Sequence, residues 1–141
     1  MKEDGKTARD FATIDDARDY FSKDRFATDN GMTLDELDES HAVTSLTLGA
    51  RHKNAFGGVM GGAIFTLADF ALAVVANDIH SLSVAQQVSI NYLNAPKGNI
   101  LYADAECIKN GRTTSTIQVK VSDDIGRDIA LFVGSVFKLN A

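Results

Sequence analysis

Between His52 and Asn77 the chain reads HKNAFGGVMGGAIFTLADFALAVVAN. Two glycine pairs, Gly57-Gly58 and Gly61-Gly62, precede a long apolar segment that carries one acid, Asp69. A helix that begins at Gly61-Gly62 has N–H groups without internal partners, and the helix dipole puts partial positive charge on them. Glycine there lets another molecule come close to the backbone. Such a helix start can hydrogen-bond a carbonyl oxygen that is gaining negative charge. Taken alone, the four glycines serve a tight turn and close packing equally well. The pattern is not the G-x-G-x-x-G of a dinucleotide site, because Val59 and Met60 stand in the wrong places. Nor is it a P-loop, because no Lys-Ser/Thr follows.

Asp69 is the second group able to do chemistry. A lone carboxylate is expensive to bury in an apolar helix. It must cap a neighbouring backbone segment, pair with a buried base, or act on a substrate. The bases nearest in sequence, Arg51 and Lys53, sit in the polar loop before the helix. With a rise of about 1.5 Å per residue, Asp69 stands roughly 11 Å along the axis from the first free N–H. A substrate does not easily bridge that distance within one subunit. Across a two-fold interface, one subunit's helix start can meet the other's acid.

These groups need a frame. From Ala63 to Ala76 only Thr66 and Asp69 are polar, and a helix apolar nearly all round is a buried one. Upstream, TIDDARDYFSKDRF reads as a short amphipathic helix capped by Thr13 with Asp16 three residues later. Lys23 and Arg25 suit its C-terminal end. GMTLDELDES and HAVTSLTLGA read as a strand, a turn and a strand. After the long helix the period switches to two. In LSVAQQVSINYL, Leu82, Val84, Val88, Ile90 and Tyr92 fall on one face, and Ser83, Ala85, Gln87, Ser89 and Asn91 on the other. Asn110-Gly111 is a two-residue hairpin signal between LYADAECIK and TTSTIQVKV, and DIALFVGSVFKL is a last strand apolar on both faces. The late strands predict a hairpin meander in a largely antiparallel sheet. The fold class is α+β: one buried helix with a curved antiparallel sheet wrapped round it. The open sheet edge and helix side predict self-association.

Composition narrows the function classes. The 141 residues are expected to form one domain over 11–141, after a disordered stretch over 1–10. No run of 18 apolar residues and no apolar leader appears, so neither a membrane span nor a secretory signal is expected. The single cysteine, Cys107, has no internal disulfide partner, which fits a reducing cytoplasm. The three histidines lie far apart in sequence, so no metal-ligand spacing forms. A net charge of −5 argues against nucleic acid as the partner. Residues 1–40 carry 12 acids and 6 bases, while residues 41–141 carry 7 acids and 8 bases, so the larger part can hold an anionic ligand in a basic groove.

The ordered set His52, Asn54, Gly57, Gly61, Gly62 and Asp69 resembles the hotdog-fold acyl-CoA thioesterases of the PaaI-like, phenylacetate-pathway group. Their pattern is approximately H-x-N-x-x-G-x-x-H-G-G, then about seven residues to an Asp. The likeness runs from about Phe26 to Phe137, through VSINYLNAP and KNGRTTSTIQVKV. It implies hydrolysis of a small or medium, including aryl, acyl-CoA by a homodimer or a dimer of dimers, with no cofactor beyond the coenzyme A of the substrate. It assigns Asp69 to activate water or attack the thioester, Gly61 to offer its N–H to the thioester carbonyl, and Asn54 to orient water or the acyl group from the opposing subunit. His52, Gly62, Met60 and Gln86 would contact substrate. Arg112, Thr113 and Thr114, after the Asn-Gly turn, would hold the nucleotide end, where Arg suits phosphate geometry.

Two positions depart from the pattern. Met60 stands where many relatives have His, and Ala85-Gln86 where some have Ser or Thr, with Gln86 or Gln87 as the replacement. From the residues alone His52 equally serves as a backbone hydrogen-bonder, and Arg112 as a solvated hairpin tip. The competing reading is a non-catalytic hotdog protein that binds acyl-CoA or acts as a scaffold. A hotdog hydratase would pair a His with an acid, and no such pair stands out.

Overall fold

The computed structural model describes residues 9–140. The expected disordered stretch lies, for residues 1–8, outside the described residues. Arg9 and Asp10 are held: Arg9 Nε lies 2.8 Å from the carboxylate of Asp78, and the Asp10 N–H donates to the Asp78 carbonyl.

Helix α1 is Ile14–Phe21, and the Thr13 hydroxyl accepts the Asp16 N–H at 3.1 Å. Its apolar stripe buries Ala17 and Phe21, the latter edge-on to Phe70 of the central helix. The helix stops four residues earlier than its basic end predicts. Ser22 caps it, and Arg25 opens a second short helix, α2, Arg25–Asp29. There Arg25 pairs with Asp29 one turn on, so its charge serves α2 and not the end of α1.

Strands β1, Met32–Asp38, and β2, His41–Thr47, form the first hairpin. Helix α3 runs from Gly61 to Ile79, and β3, Ser83–Tyr92, follows it. β4, Ile100–Asn110, β5, Thr114–Asp123, and β6, Asp128–Lys138, complete the sheet. The order is β1-β2-β4-β5-β6-β3, with every pairing antiparallel. The meander is β4-β5-β6. β3 lies outside it, beside β6 at the sheet edge, because alternation fixes which face a strand buries and leaves its neighbour open.

The sheet holds α3 along its inner face, the architecture the sequence predicts. One row crosses it through Ala42, Ala105, Val119, Phe132 and Ile90, paired in turn. The first four are buried, and the Phe65 ring of α3 meets Phe132 edge-on with centroids 5.2 Å apart. α3 is long and apolar enough to cross a membrane by length and composition, but 12 of its 19 residues are buried inside this protein, as in a core helix. Gly134 on β6 makes the close approach possible: a Cβ there would lie 2.4 Å from Leu72 Cδ1.

Two local expectations change. The alternation of β3 breaks at a bulge between Ala85 and Gln87, where the extra residue is Gln86. Ahead of it Ser83 is buried while Leu82 and Val84 are exposed, and beyond it Val88 and Ile90 turn inward. The β4–β5 hairpin exists, but Asn110-Gly111 is not its two-residue turn. Asn110 pairs with Ser115, and Gly111 N–H bonds the Thr114 carbonyl across a longer loop. The Asn110 side chain takes Ser115 Oγ and Lys138 Nζ instead, which anchors the loop to β6.

Candidate functional site

The loop before α3 is built from backbone bonds that its sequence makes possible. A 3-10 turn, Ala50–His52, brings in His52. His52 Nδ1 accepts the Gly49 N–H at 2.9 Å, so Nε2 carries the proton and donates to the Asn30 carbonyl at 2.8 Å. The ring is buried with both nitrogens occupied, so His52 supports the loop and has no nitrogen left for a substrate. Asn54 closes the next turn. Its Oδ1 accepts the N–H groups of Phe56 and Gly58 at 3.0 and 3.1 Å. Gly57, at φ +83°, supplies the left-handed residue this turn needs. The Asn54 Nδ2 group makes no hydrogen bond among the described residues.

Met60 N–H returns to the His52 carbonyl at 2.8 Å, and Met60 then precedes α3 in an extended conformation with no side-chain cap. The N–H groups of Gly61 and Gly62 consequently have no acceptor among the described residues. Tyr92, at the end of β3, leans over them: its hydroxyl donates to the Gly61 carbonyl at 3.1 Å. Two cavities meet at this helix start. One, of about 400 Å³, is lined by Phe26, Met32, Met60, Gly62, Phe65 and Thr66. The other, of about 440 Å³, is lined by Asn54, Gly58, Gly61, Asn94 and Pro96. Tyr92 borders both.

Asp69 lies two turns along α3. Gly62, Thr66, Asp69 and Ala73 are spaced to share one face, and none of them is fully buried. The Asp69 carboxyl is half-buried and makes no hydrogen bond or ion pair among the described residues. Burial pushes its pKa up, and the negative charge of Asp24 adds to the rise. Among the described residues no partner of the structural kind, a cap or a buried base, is within bonding reach of it.

One chain thus brings Asn54, Met60, Gly61 and Gly62 together, sets Asp69 apart on the same helix, and leaves Gln86 exposed at the β3 bulge. It does not bring Arg112, Thr113 and Thr114 to the helix start. Thr114 pairs with Phe137, and Lys138 with Ser83, so the hairpin tip lies at the end of the sheet where α3 finishes. Tyr92 and Phe26 carry no signal in the sequence. Tyr92 reads as one more alternating strand residue, and Phe26 lies on the short helix the pattern does not separate from α1. Among the described residues no group of three or more His, Cys, Asp or Glu side chains is placed to hold a metal.

Comparison with known proteins bears on this arrangement. The profile of the Thioesterase superfamily matches residues 56–130. A putative esterase of Archaeoglobus fulgidus is 32% identical over 95% of this chain and 88% of its own. The acyl-coenzyme A thioesterase PaaI of Escherichia coli is 27% identical over 87% of this chain and 89% of its own. The structure of that PaaI protein, from the phenylacetic acid degradation operon, superposes with a TM-score of 0.83 at 26% identity, covering 89% of this chain and 91% of that one. A hypothetical thioesterase of Streptococcus pneumoniae, solved with coenzyme A, superposes with a TM-score of 0.76 at 27% identity, covering 83% and 94%. The chain therefore belongs to the Thioesterase superfamily, as a PaaI-like protein of hotdog fold.

Proposed function

We propose that the protein hydrolyses an acyl-CoA thioester, with a small or medium acyl group that includes aryl groups, to a free acid and coenzyme A. The observation that carries this reading is the pair of N–H groups at Gly61 and Gly62, without acceptors among the described residues and set between two cavities. An acyl group suits the cavity of Phe26, Met32 and Phe65, and the other cavity suits the pantetheine arm. The thioester carbonyl then lies at the helix start, where the Gly61 N–H, with the Gly62 N–H beside it, stabilises the oxygen as it gains charge. The free Nδ2 of Asn54 donates to the acyl carbonyl or the attacking water.

The base comes from a second copy of the chain, because roughly 11 Å of helix separates Asp69 from its own first N–H. In the water route, the Asp69 carboxylate takes a proton from water as its oxygen bonds to the thioester carbon. The C–S bond breaks, and the proton returns to the sulfur of coenzyme A. In direct attack, an Asp69 oxygen bonds to the acyl carbon as the C–S bond breaks and coenzyme A leaves as thiolate. Water then cleaves the anhydride, which frees the acid, restores the Asp69 carboxylate and supplies the proton to the thiolate. Both routes call on no metal or prosthetic group. Assembly is a homodimer or a dimer of dimers, and the lone thiol of Cys107 fits a cytoplasmic setting.

The test is a panel of aliphatic and aryl acyl-CoAs assayed for released thiol. Turnover of at least one member at a rate well above its spontaneous hydrolysis is expected. Binding of acyl-CoA without turnover of any member would return the protein to a binding role.

A further inference from the structure

We infer that Tyr92 is a positioning residue for the carbonyl-binding donors at the start of α3, and that it acts by polarising the Gly61–Gly62 peptide. This rests on the thioesterase reading for its catalytic consequence, but not for its physical one.

The phenol oxygen of Tyr92 donates its hydrogen to the Gly61 carbonyl at 3.1 Å. That carbonyl belongs to the same peptide unit as the Gly62 N–H. An amide that accepts a hydrogen bond at oxygen becomes a better donor at nitrogen, by about 10–30% per bond. The Gly62 N–H is one of the two donors that have no acceptor among the described residues. Tyr92 therefore strengthens a donor it does not touch. The helix already orients that peptide through the Phe65 N–H on the same carbonyl, so Tyr92 adds a second bond to an amide whose plane is set.

The packing supports the same assignment. A Cβ built on Gly61 would lie 3.3 Å from both Cζ and Oη of Tyr92. Glycine at 61 thus lets the ring sit close over the helix start, because a side chain there would press the phenol away by a few tenths of an ångström. The second hydroxyl of this region completes the contrast. Thr66 Oγ1 donates to the Gly62 carbonyl at 2.8 Å. It polarises the next peptide, whose N–H, on Ala63, already bonds the Met60 carbonyl. Of the two hydroxyls, Tyr92 is the one whose amide is free to act on a ligand.

Tyr92→Phe is the test, because it keeps the ring that packs on Gly61 and removes only the donor. Two readouts are needed. The first is the amide proton resonance of Gly62 in the ligand-free protein, which does not depend on any activity. It should move upfield in the variant, while the Ala63 resonance stays close to its wild-type position. The second is turnover. An oxyanion donor contributes about 10²–10³ in rate, so losing 10–30% of its strength predicts a fall in kcat of about 2- to 8-fold. KM for acyl-CoA should stay within about 2-fold, since the contact strengthens only as charge develops. An unmoved Gly62 resonance overturns the inference whatever the kinetics show. A rise in KM at constant kcat also overturns it, since Tyr92 would then be a substrate contact of the two cavities. If the wild-type protein turns over no acyl-CoA, the thioesterase reading fails, while the resonance still decides the role of Tyr92.

Discussion

Asp69 is where the residue scale decides function. Its carboxyl is half-buried, has no hydrogen-bond partner among the described residues, and has its pKa raised by burial first and by Asp24 second. A raised pKa in an acid means that the folded state holds the proton to a higher pH than the unfolded chain does. Stability is therefore fully present below the ordinary carboxylate pKa and is lost as pH rises through the raised one. At neutral pH the charged form is a burden on the fold, so Asp69→Asn should leave the melting midpoint unchanged or raise it. The same substitution removes basicity and should lower kcat by at least about 10²-fold, the low end for losing a general base. In the wild type the rate should fall on acidification, with a midpoint above the ordinary aspartate value. A pH–rate profile and a melting curve check both statements. A lowered melting point with near-normal turnover would make Asp69 a structural residue. His52 shows the opposite residue-scale outcome. Its type suggests chemistry, but two backbone partners use its ring completely.

At the scale of elements, the fit between α3 and the sheet depends on Gly134. Alanine there would put a Cβ 2.4 Å from Leu72 Cδ1 and 2.9 Å from Val88 Cγ1. Leu72 is buried and cannot swing into solvent. Gly134→Ala should therefore cost about 1–3 kcal/mol, as overpacked cores do. The midpoint should drop by roughly 4 °C for each kcal/mol, measured by thermal unfolding. A second element-scale test concerns the β4–β5 hairpin. If its tip holds the phosphates of coenzyme A, Arg112→Ala should raise KM for acyl-CoA more than it lowers kcat, because the contact is remote from the reacting bond. An unchanged coenzyme A affinity would place the phosphate groove elsewhere. These elements also mark what the sequence discloses. Local signals held where the local bond is the structure: Thr13 caps α1, and the glycine pair starts α3. They failed where a distant partner decides. The β3 bulge at Gln86 answers to pairing with β6, and Asn110 spends its side chain on Lys138 instead of on a tight turn. Tyr92 meets Gly61 only because β3 returns alongside the start of α3, and no spacing in the chain records that.

At the scale of the whole molecule, the proposed site calls for a second copy of the chain. Phe56 is 97% exposed, Met60 51% and Tyr92 52%, all beside the helix start. Exposed apolar groups gathered round a site mark a surface meant to be covered. β3 offers a free sheet edge next to them. A two-fold axis that pairs these surfaces reverses the sheet, and so carries the Arg112 hairpin of one copy toward the Gly61 end of the other. Light scattering should find nothing smaller than a dimer at micromolar concentration, and an active monomer would refute the shared site. A sharper test uses two variants that are each inactive. Asn54→Ala damages the helix-start side of the site, and Asp69→Asn damages the acid. If the two sides come from different copies, a mixed dimer has one site carrying both lesions and one carrying neither. Equal amounts of the two variants, unfolded and refolded together, should then recover about one quarter of wild-type activity, because half the dimers are mixed and each has one intact site of two. If Asn54 and Asp69 of a single copy work together, every site in every mixture carries a lesion, and the mixture stays as inactive as its parts.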